Sequence, residues 1–277
     1  MKNLVWCNNV ARGECVVVQD QKVVWITGGG SGLGKAMALE FSLRGYFVVI
    51  SGRRANVLQE VQDALGASVM AVPCDVLDEH SVLGAVQTII EARGRLDVVV
   101  ANAGYAANGN VVDVSAEDWT RQLGVNVVGA ATTVRLAYPH LLKTKGRIGL
   151  IASVASQVNS PGNGAYNASK AALRAMGLTL AMECHNDGVS CTTIHPGFVE
   201  SEIGQVDNEG VFHAEWEDRR PASLMWPADK AARVMVRAIE RRKLEYVFTG
   251  HGKIGAWLGR HVPWLVHFLV TRKVIRL

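Results

Sequence analysis

Short apolar runs alternate with helix-period segments along most of this chain, and that alternation restricts the fold more than any single motif. Residues 22–27 (KVVWIT) form the first β-rich run, and a helical pattern follows over 33–43. The alternation continues with strand 46–51, helix 55–65, strand 68–73, helix 79–93, strand 96–101, a long helical stretch 116–143 and strand 147–152. Helix 166–182, strand 189–194, a proline-started helix 228–242 and strand 245–248 complete it. Strands that are apolar throughout, rather than at every second position, are buried on both faces. The expected architecture is therefore α/β, a doubly wound seven-stranded parallel sheet covered by helices on both sides, in three αβα layers. No linker, repeat or low-complexity stretch interrupts residues 22–250, so one domain is expected. Residues 1–21 read as an extension and 251–277 as a tail.

Composition narrows the function classes. The 277 residues are 49% hydrophobic, enough for one large core. No run of eighteen uncharged apolar residues occurs, and residues 1–21 do not read as a signal peptide because Asn8, Asn9 and Arg12 interrupt a short apolar patch. Five cysteines lack zinc or C-x-x-C spacing and fit free thiols in a reducing, cytoplasmic setting. No metal-ligand cluster is visible. The net charge is +4, yet the residues after Glu245 carry five basic side chains and no acidic one. A basic tail on a near-neutral body argues against nucleic acid as a partner. Within the tail, Ile254, Trp257, Leu258, His261 and Val262 follow helical spacing, Pro263 breaks the run, and Trp264, Leu265, Phe268 and Leu269 resume it. Two expectations remain open for that tail: a peripheral membrane contact, or packing on its own or a partner subunit.

Between the first strand and helix lies Thr27-Gly28-Gly29-Gly30-Ser31-Gly32-Leu33-Gly34. A glycine turn there brings the backbone close to a pyrophosphate, with a helix N-terminus aimed at it. Gly29 to Lys35 also matches G-x-x-x-x-G-K, but Ala36 follows and has no hydroxyl for magnesium, so a phosphate-binding NTPase loop is disfavoured. Further on, Tyr166 and Lys170 stand four apart in a helical run, one turn from each other on one face. A phenol beside an ammonium is poised for acid–base work, since the positive charge favours the phenolate.

Together these motifs resemble the short-chain dehydrogenase/reductase family, in its subgroup with T-G-x-x-x-G-x-G and Y-x-x-x-K, over residues 22–248. Asn102-Ala103-Gly104 after the fourth strand, Asn126 in the long helical stretch, Ser153 thirteen residues before Tyr166, and Pro196-Gly197 after the sixth strand all fall in the family's order. Ala101 departs from the usual Asn-Asn-Ala-Gly.

The resemblance implies a Rossmann-like fold and hydride transfer between a nicotinamide and a carbonyl or secondary alcohol, with no metal. It implies that Tyr166 is the general acid/base and that Lys170 lowers its pKa and holds the nicotinamide ribose. Ser153 would orient the substrate oxygen, and Asn126 would place a water leading from Lys170 to solvent. Thr27, Gly28, Gly30, Ser31, Gly32, Leu33, Gly34, Asn102, Ala103 and Gly104 would line the cofactor. Asp75 and Val76 would meet the adenine; Pro196, Gly197, Val199 and Ser201 would meet the nicotinamide, Ser201 replacing the usual threonine.

At the end of the second strand Gly52 stands where NAD-binding members carry Asp, and Arg53 and Arg54 follow. A guanidinium suits a 2′-phosphate. NADP(H) is thus the expected cofactor with NAD(H) as the alternative, although Ser31 lacks the family's second basic marker. Residues 202–226, rich in aromatic and charged side chains, are expected to form the substrate lid over a lipophilic substrate. A homodimer or homotetramer is expected, paired through the two long helices. The alternatives are a membrane-surface reductase of a ketolipid or steroid, and a nucleotide-sensing protein of this fold without turnover.

Overall fold

A computed structural model describes residues 21–218 and 220–272. The expectations for 1–20, including Cys7 and Cys15, lie outside the described residues. Seven parallel strands run in the order β3-β2-β1-β4-β5-β6-β7. They are β1 Val23–Thr27, β2 Phe47–Ser51, β3 Val69–Ala71, β4 Val98–Ala101, β5 Arg147–Ile151, β6 Ser190–His195 and β7 Glu245–Val247. The helices are α1 Gly32–Leu43, α2 Ala55–Leu65, α3 Glu79–Arg93, α4 Ala116–Leu123, α5 Ala130–Thr144, α6 Gly164–Glu183, α7 Ala228–Glu240, α8 Gly250–His261 and α9 Pro263–Thr271. This is the single-domain, doubly wound αβα sandwich expected from the alternation of strands and helices.

The strands are buried because each feeds two cores. Alternate residues point to opposite faces. Val23, Trp25, Val99 and Ala101 belong to one apolar cluster with residues of α3, α5 and α6. Val24, Ile26, Val98 and Val100 belong to the other, with residues of α1, α2 and α7. Trp25 is completely buried, and its indole N–H donates to the Ser51 hydroxyl at 2.8 Å. The strand order reverses between β1 and β4, which leaves a crevice beyond their C-terminal ends, where ligands of such sheets bind.

Local chemistry sets the boundaries. Asp78 caps α3 by accepting from the His80 N–H, and Gly94 closes it in the left-handed region at φ 70°. Ser115 caps α4 in the same way. The long helical stretch is not uniform: a π-helical turn, Gly124–Gly129, separates α4 from α5 and carries Asn126. Such turns re-aim side chains within an otherwise continuous helix. Val76 lies over this turn, where a Cβ on Gly129 would come within 2.8 Å of it.

The tail folds as two helices rather than one. Pro263 starts α9 after the break at Val262. The inner face of α8 carries Gly252, Gly255, Ala256 and Gly259 and packs on residues 154–158, so closely that a Cβ on Gly259 would collide with the Gln157 carbonyl. The outer face leaves Ile254, Trp257, Trp264 and Phe268 exposed. Packing on its own subunit therefore holds for one side of the tail. Among the described residues no helix is long and apolar enough to cross a membrane.

Candidate active site

The glycine turn is laced to the neighbouring strand end. The Thr27 hydroxyl accepts from the backbone N–H groups of Asn102 (3.1 Å) and Ala103 (3.2 Å), and the Asn102 amide donates to the Thr27 and Gly28 carbonyls. Gly28 has φ 66° and Gly32 φ 48°, conformations that favour glycine. A Cβ on Gly34 would collide with the Gly28 carbonyl, so the first turn of α1 sits directly against the loop. Gly30 faces Val57, Ser31 occupies the N-cap of α1, and Leu33 packs on the core. The result is a glycine-rich backbone cradle at a helix N-terminus, the shape a dinucleotide pyrophosphate needs.

The other end of the crevice is built from β2. Gly52 is followed by Arg53, whose guanidinium donates to the Gly210 carbonyl at 2.8 Å. Arg54 pairs with Glu202 at 3.2 Å and lies over the Phe212 ring at 5.5 Å. Both arginines thus hold residues of the 202–226 segment. Asp75 caps its own turn, accepting from the Leu77 N–H at 3.0 Å, while Val76 packs on the π turn.

The reacting end lies beyond β4, β5 and β6. Asn126 is buried and fully engaged: its amide donates to the Tyr105 carbonyl and the Ser169 hydroxyl, and its oxygen accepts from the Tyr105 N–H. Gly104 lies over it, where a Cβ would stand 2.9 Å from the Asn126 oxygen and 3.6 Å from Lys170 Nζ. Lys170 is buried on α6 and donates to the Ile151 carbonyl at 2.8 Å. Burial lowers its pKa to about 8. Nζ stands 5.7 Å from the centre of the Tyr166 ring.

Tyr166 differs from the sequence expectation. Burial raises its pKa, opposed by a hydrogen bond to Ser153 and by the charge of Arg220 rather than by Lys170. With its pKa at about 8, Lys170 loses its proton before so raised a phenol ionises, and Nζ donates to a carbonyl. Ser153 caps the short turn after β5, its hydroxyl accepting from the Ala155 N–H at 3.1 Å.

The loop after β6 closes the crevice. Val199 is buried, and Gly32 meets Ser201, where a Cβ would stand 3.1 Å from the serine Cβ. Pro196 offers its carbonyl to the Val154 N–H, and Gly197 packs against Thr249 and His251. Arg220 ties this loop together, donating to the carbonyls of Val199 (3.0 Å) and Ser201 (2.8 Å) and to the Ser201 hydroxyl (3.3 Å) while pairing with Asp218. Sequence reasoning missed Arg220, because a doublet of arginines in a charged segment carries no spacing signal. It missed likewise the buried His195 behind Ser153 and its partner Glu245.

Residues 22–211 match the family model for short chain dehydrogenases. The chain belongs to that family. It is 37% identical over 189 residues to meso-2,3-butanediol dehydrogenase of Serratia marcescens, covering 66% of this chain and 74% of that protein. It is 30% identical over 263 residues to a dehydrogenase/reductase SDR family protein 7-like of Anopheles gambiae, covering 91% and 82%. Among solved structures, a short-chain dehydrogenase/reductase from Burkholderia phymatum in complex with NAD superposes with a TM-score of 0.74 at 30% identity, covering 82% of this enzyme and 88% of that chain. A 3-ketoacyl-(acyl-carrier-protein) reductase from Brucella melitensis complexed with NADH gives 0.71 at 27% identity, covering 79% and 90%. This enzyme is accordingly an NAD(P)-dependent oxidoreductase, and its glycine-rich cradle fits a nicotinamide cofactor.

Proposed function

We propose that this enzyme interconverts a carbonyl and a secondary alcohol, with NADP(H) preferred over NAD(H). The observation that carries this reading is the Tyr166 phenol, influenced by the Ser153 side chain and one turn from buried Lys170, whose Nζ stands 5.7 Å from the centre of its ring. A bound nicotinamide supplies or takes up the hydride. Tyr166 gives a proton to the substrate oxygen in reduction and takes it back in oxidation. Ser153 steadies that oxygen as charge builds on it. Lys170 offers protons to the cofactor ribose and to Tyr166. Asn126 holds the floor, since its side chain is used up on Tyr105 and Ser169; a water leading to Lys170 would have to meet its main chain.

Thr27, the glycine turn from Gly28 to Gly34, and residues 102–104 would hold the dinucleotide, with Pro196, Gly197, Val199 and Ser201 at the nicotinamide. NADP(H) is favoured because no carboxylate stands at Gly52 to repel a 2′-phosphate, and Arg53 and Arg54 lie beside it. Residues 202–226 act as the lid. Its aromatic side chains favour a lipophilic substrate. Cytoplasmic residence suits Cys74, Cys184 and Cys191, all buried and free. Exposed Val128, Leu142 and Met182 on and beside α5 and α6 suit a homodimer or homotetramer.

The test is NADPH consumption across ketones graded by chain length and ring count. Tyr166→Phe retains NADPH binding and loses turnover by at least about 10²-fold, the lower scale of general acid–base effects. A fully active variant removes Tyr166 from the mechanism.

A second reading, of a reductase working at a membrane surface, draws on the outer face of the tail. Ile254, Trp257, Trp264 and Phe268 are exposed beside Lys253, Arg260 and Arg272, with no acidic residue among them. Full-length protein floats with anionic vesicles, and protein truncated after Gly252 does not. Equal flotation dismisses this reading.

A further inference from the structure

Directly behind Ser153 lies a buried polar cluster that the reaction described above does not use. His195, the last residue of β6, is completely buried. Its Nδ1 stands 2.9 Å from the Ser156 hydroxyl and 3.1 Å from the Ser153 carbonyl. Its Nε2 stands 3.1 Å from Glu245 Oε1 at the start of β7. Glu245 in turn accepts from Arg174 of α6 at 2.7 and 3.1 Å and from Arg260 of α8 at 3.2 Å. Ser156 also donates to the Ser153 carbonyl at 2.6 Å.

Proton placement follows from these partners. Two guanidinium groups keep Glu245 ionised, and its pKa is held below the ordinary carboxylate value by Arg174, His195 and Arg260 against burial. An ionised carboxylate can only accept, so Nε2 carries a proton toward it. Nδ1 faces the Ser153–Ser156 turn: in the charged ring it donates to the Ser153 carbonyl and the Ser156 oxygen while the Ser156 hydroxyl donates to that carbonyl, and in the neutral ring it accepts the one Ser156 hydroxyl proton, leaving the Ser153 carbonyl to the Ser156 backbone N–H. Burial pushes the imidazole below its usual value, while the Ser153 carbonyl and Glu245 push it up and Arg174 pushes it down. Lys253 and His261 of α8 line a cavity beside Glu245 and complete the charged groups around the cluster. A titratable ring aligned by a carboxylate and set against the Ser153–Ser156 turn resembles the outer partners that orient reacting groups elsewhere.

We infer that His195 is a positioning residue for Ser153, aligned by Glu245 and tied through Arg260 to the C-terminal helix α8. The inference rests on the assignment of Ser153 to the substrate oxygen, and it makes α8 a working part of the active site. The backbone contact of Gly259 on Gln157 reinforces the same coupling from the other side of the turn.

Three variants test it: His195→Leu, His195→Asn (which keeps a polar group at the Nδ1 position) and Arg260→Gln, at a side chain that is 43% exposed. His195→Leu lowers kcat by at least about 10-fold, the size of one lost hydrogen bond to a positioned group, with the KM for NADPH unchanged. His195→Asn restores part of that kcat, and Arg260→Gln produces a smaller loss in the same direction. If His195→Leu does not fold, Glu245→Gln takes its place, with a kcat loss of at least about 3-fold.

A second readout needs no turnover. Absorbance titration of the Tyr166 phenolate, isolated by difference with Tyr166→Phe, shifts to higher pH in His195→Leu or Glu245→Gln because Ser153 no longer holds the phenol oxygen. Unchanged kcat and an unchanged Tyr166 titration overturn the inference. Absence of NADPH turnover in the unaltered enzyme, with the titration still shifted, instead removes the proposed reaction and leaves the positioning of Ser153 standing.

Discussion

The two ends of the crevice are built on opposite principles. At the reacting end, Asn126, Lys170 and Ser169 are buried and bonded to the protein itself. At the adenosine end, Arg53 and Arg54 are exposed and their bonds go to residues 202–226, a segment of short turns. A buried network resists rearrangement, since each orphaned group costs about 1–3 kcal/mol. An exposed ion pair contributes about 0–1 kcal/mol and is readily exchanged for a better partner. The reacting end is therefore held by the protein's own bonds, whereas at the proposed adenosine end a ligand would trade a protein contact for its own.

Lys170→Met tests the first half most severely. Turnover falls by at least about 10²-fold, as for loss of a preorganised electrostatic group. Stability moves the other way. The folded lysine has a pKa of about 8, below its ordinary 10.5, so the unfolded chain binds more protons between those values and stability rises with pH across that window. Below about pH 8 the full penalty applies, and removing the amine raises the stability of the cofactor-free protein by up to about 3 kcal/mol. The gain shrinks toward pH 10.5. Thermal melts of both proteins at pH 7 and pH 10 check this; a destabilised Lys170→Met protein at pH 7 means that the bond to Ile151 outweighs desolvation.

The adenosine end answers to charge. Arg53→Asp lowers kcat/KM for NADPH by about 10- to 100-fold, the range of one charge-assisted bond to phosphate, while NADH is little affected or improved. Equal losses for both cofactors mean that Arg53 serves the lid alone. Between the two ends sits Arg220, which touches the Val199–Ser201 loop and whose charge acts on Tyr166. Arg220→Gln raises the Tyr166 titration and raises the KM of both cofactors by about 5- to 10-fold, the cost of about one hydrogen bond. A change in only one of these separates the guanidinium's electrostatic action from its hold on the loop.

What could be read from sequence divides along the same line. Seven strands and the glycine turn were legible because period and spacing are local properties. Ser153, Tyr166 and Lys170 were singled out through the family resemblance, and the structure sets Ser153 just after β5 and the other two on α6. The π turn at Asn126 was not legible as such, although Gly124 and Gly129 flank it and Val76 leaves no room for a larger side chain at Gly129. The Tyr166 environment was misjudged because the sequence shows a lysine one turn away but not that both groups are desolvated, which raises the phenol and lowers the amine. Arg220 reaches the Val199–Ser201 loop, Glu202 reaches Arg54 and Glu245 reaches His195 only through tertiary folding, across segments with no period to fix their distance. A charged, aromatic stretch such as 202–226 does not say which residues it grips.

The smallest expected effect discriminates most finely between the two ends. Glu202 reaches Arg54 at 3.2 Å, with both side chains more than a third exposed. Their pairing is therefore worth little, and the carboxylate's larger influence is on any anion that approaches the same guanidinium. A 2′-phosphate would face that repulsion and would have to displace Glu202 to bond Arg54. Glu202→Gln removes the repulsion while keeping a side chain of the same size, so NADPH binding tightens by about 3-fold, equivalent to a fraction of a kcal/mol. NADH, with hydroxyls in place of the phosphate, gains less. Added salt narrows the difference, because interactions between exposed charges are screened over about 10 Å at 0.1 M. Fluorescence titration of both cofactors at low and high salt measures it. Equal tightening of NADH and NADPH, insensitive to salt, means that the segment gates the whole crevice rather than competing at the phosphate.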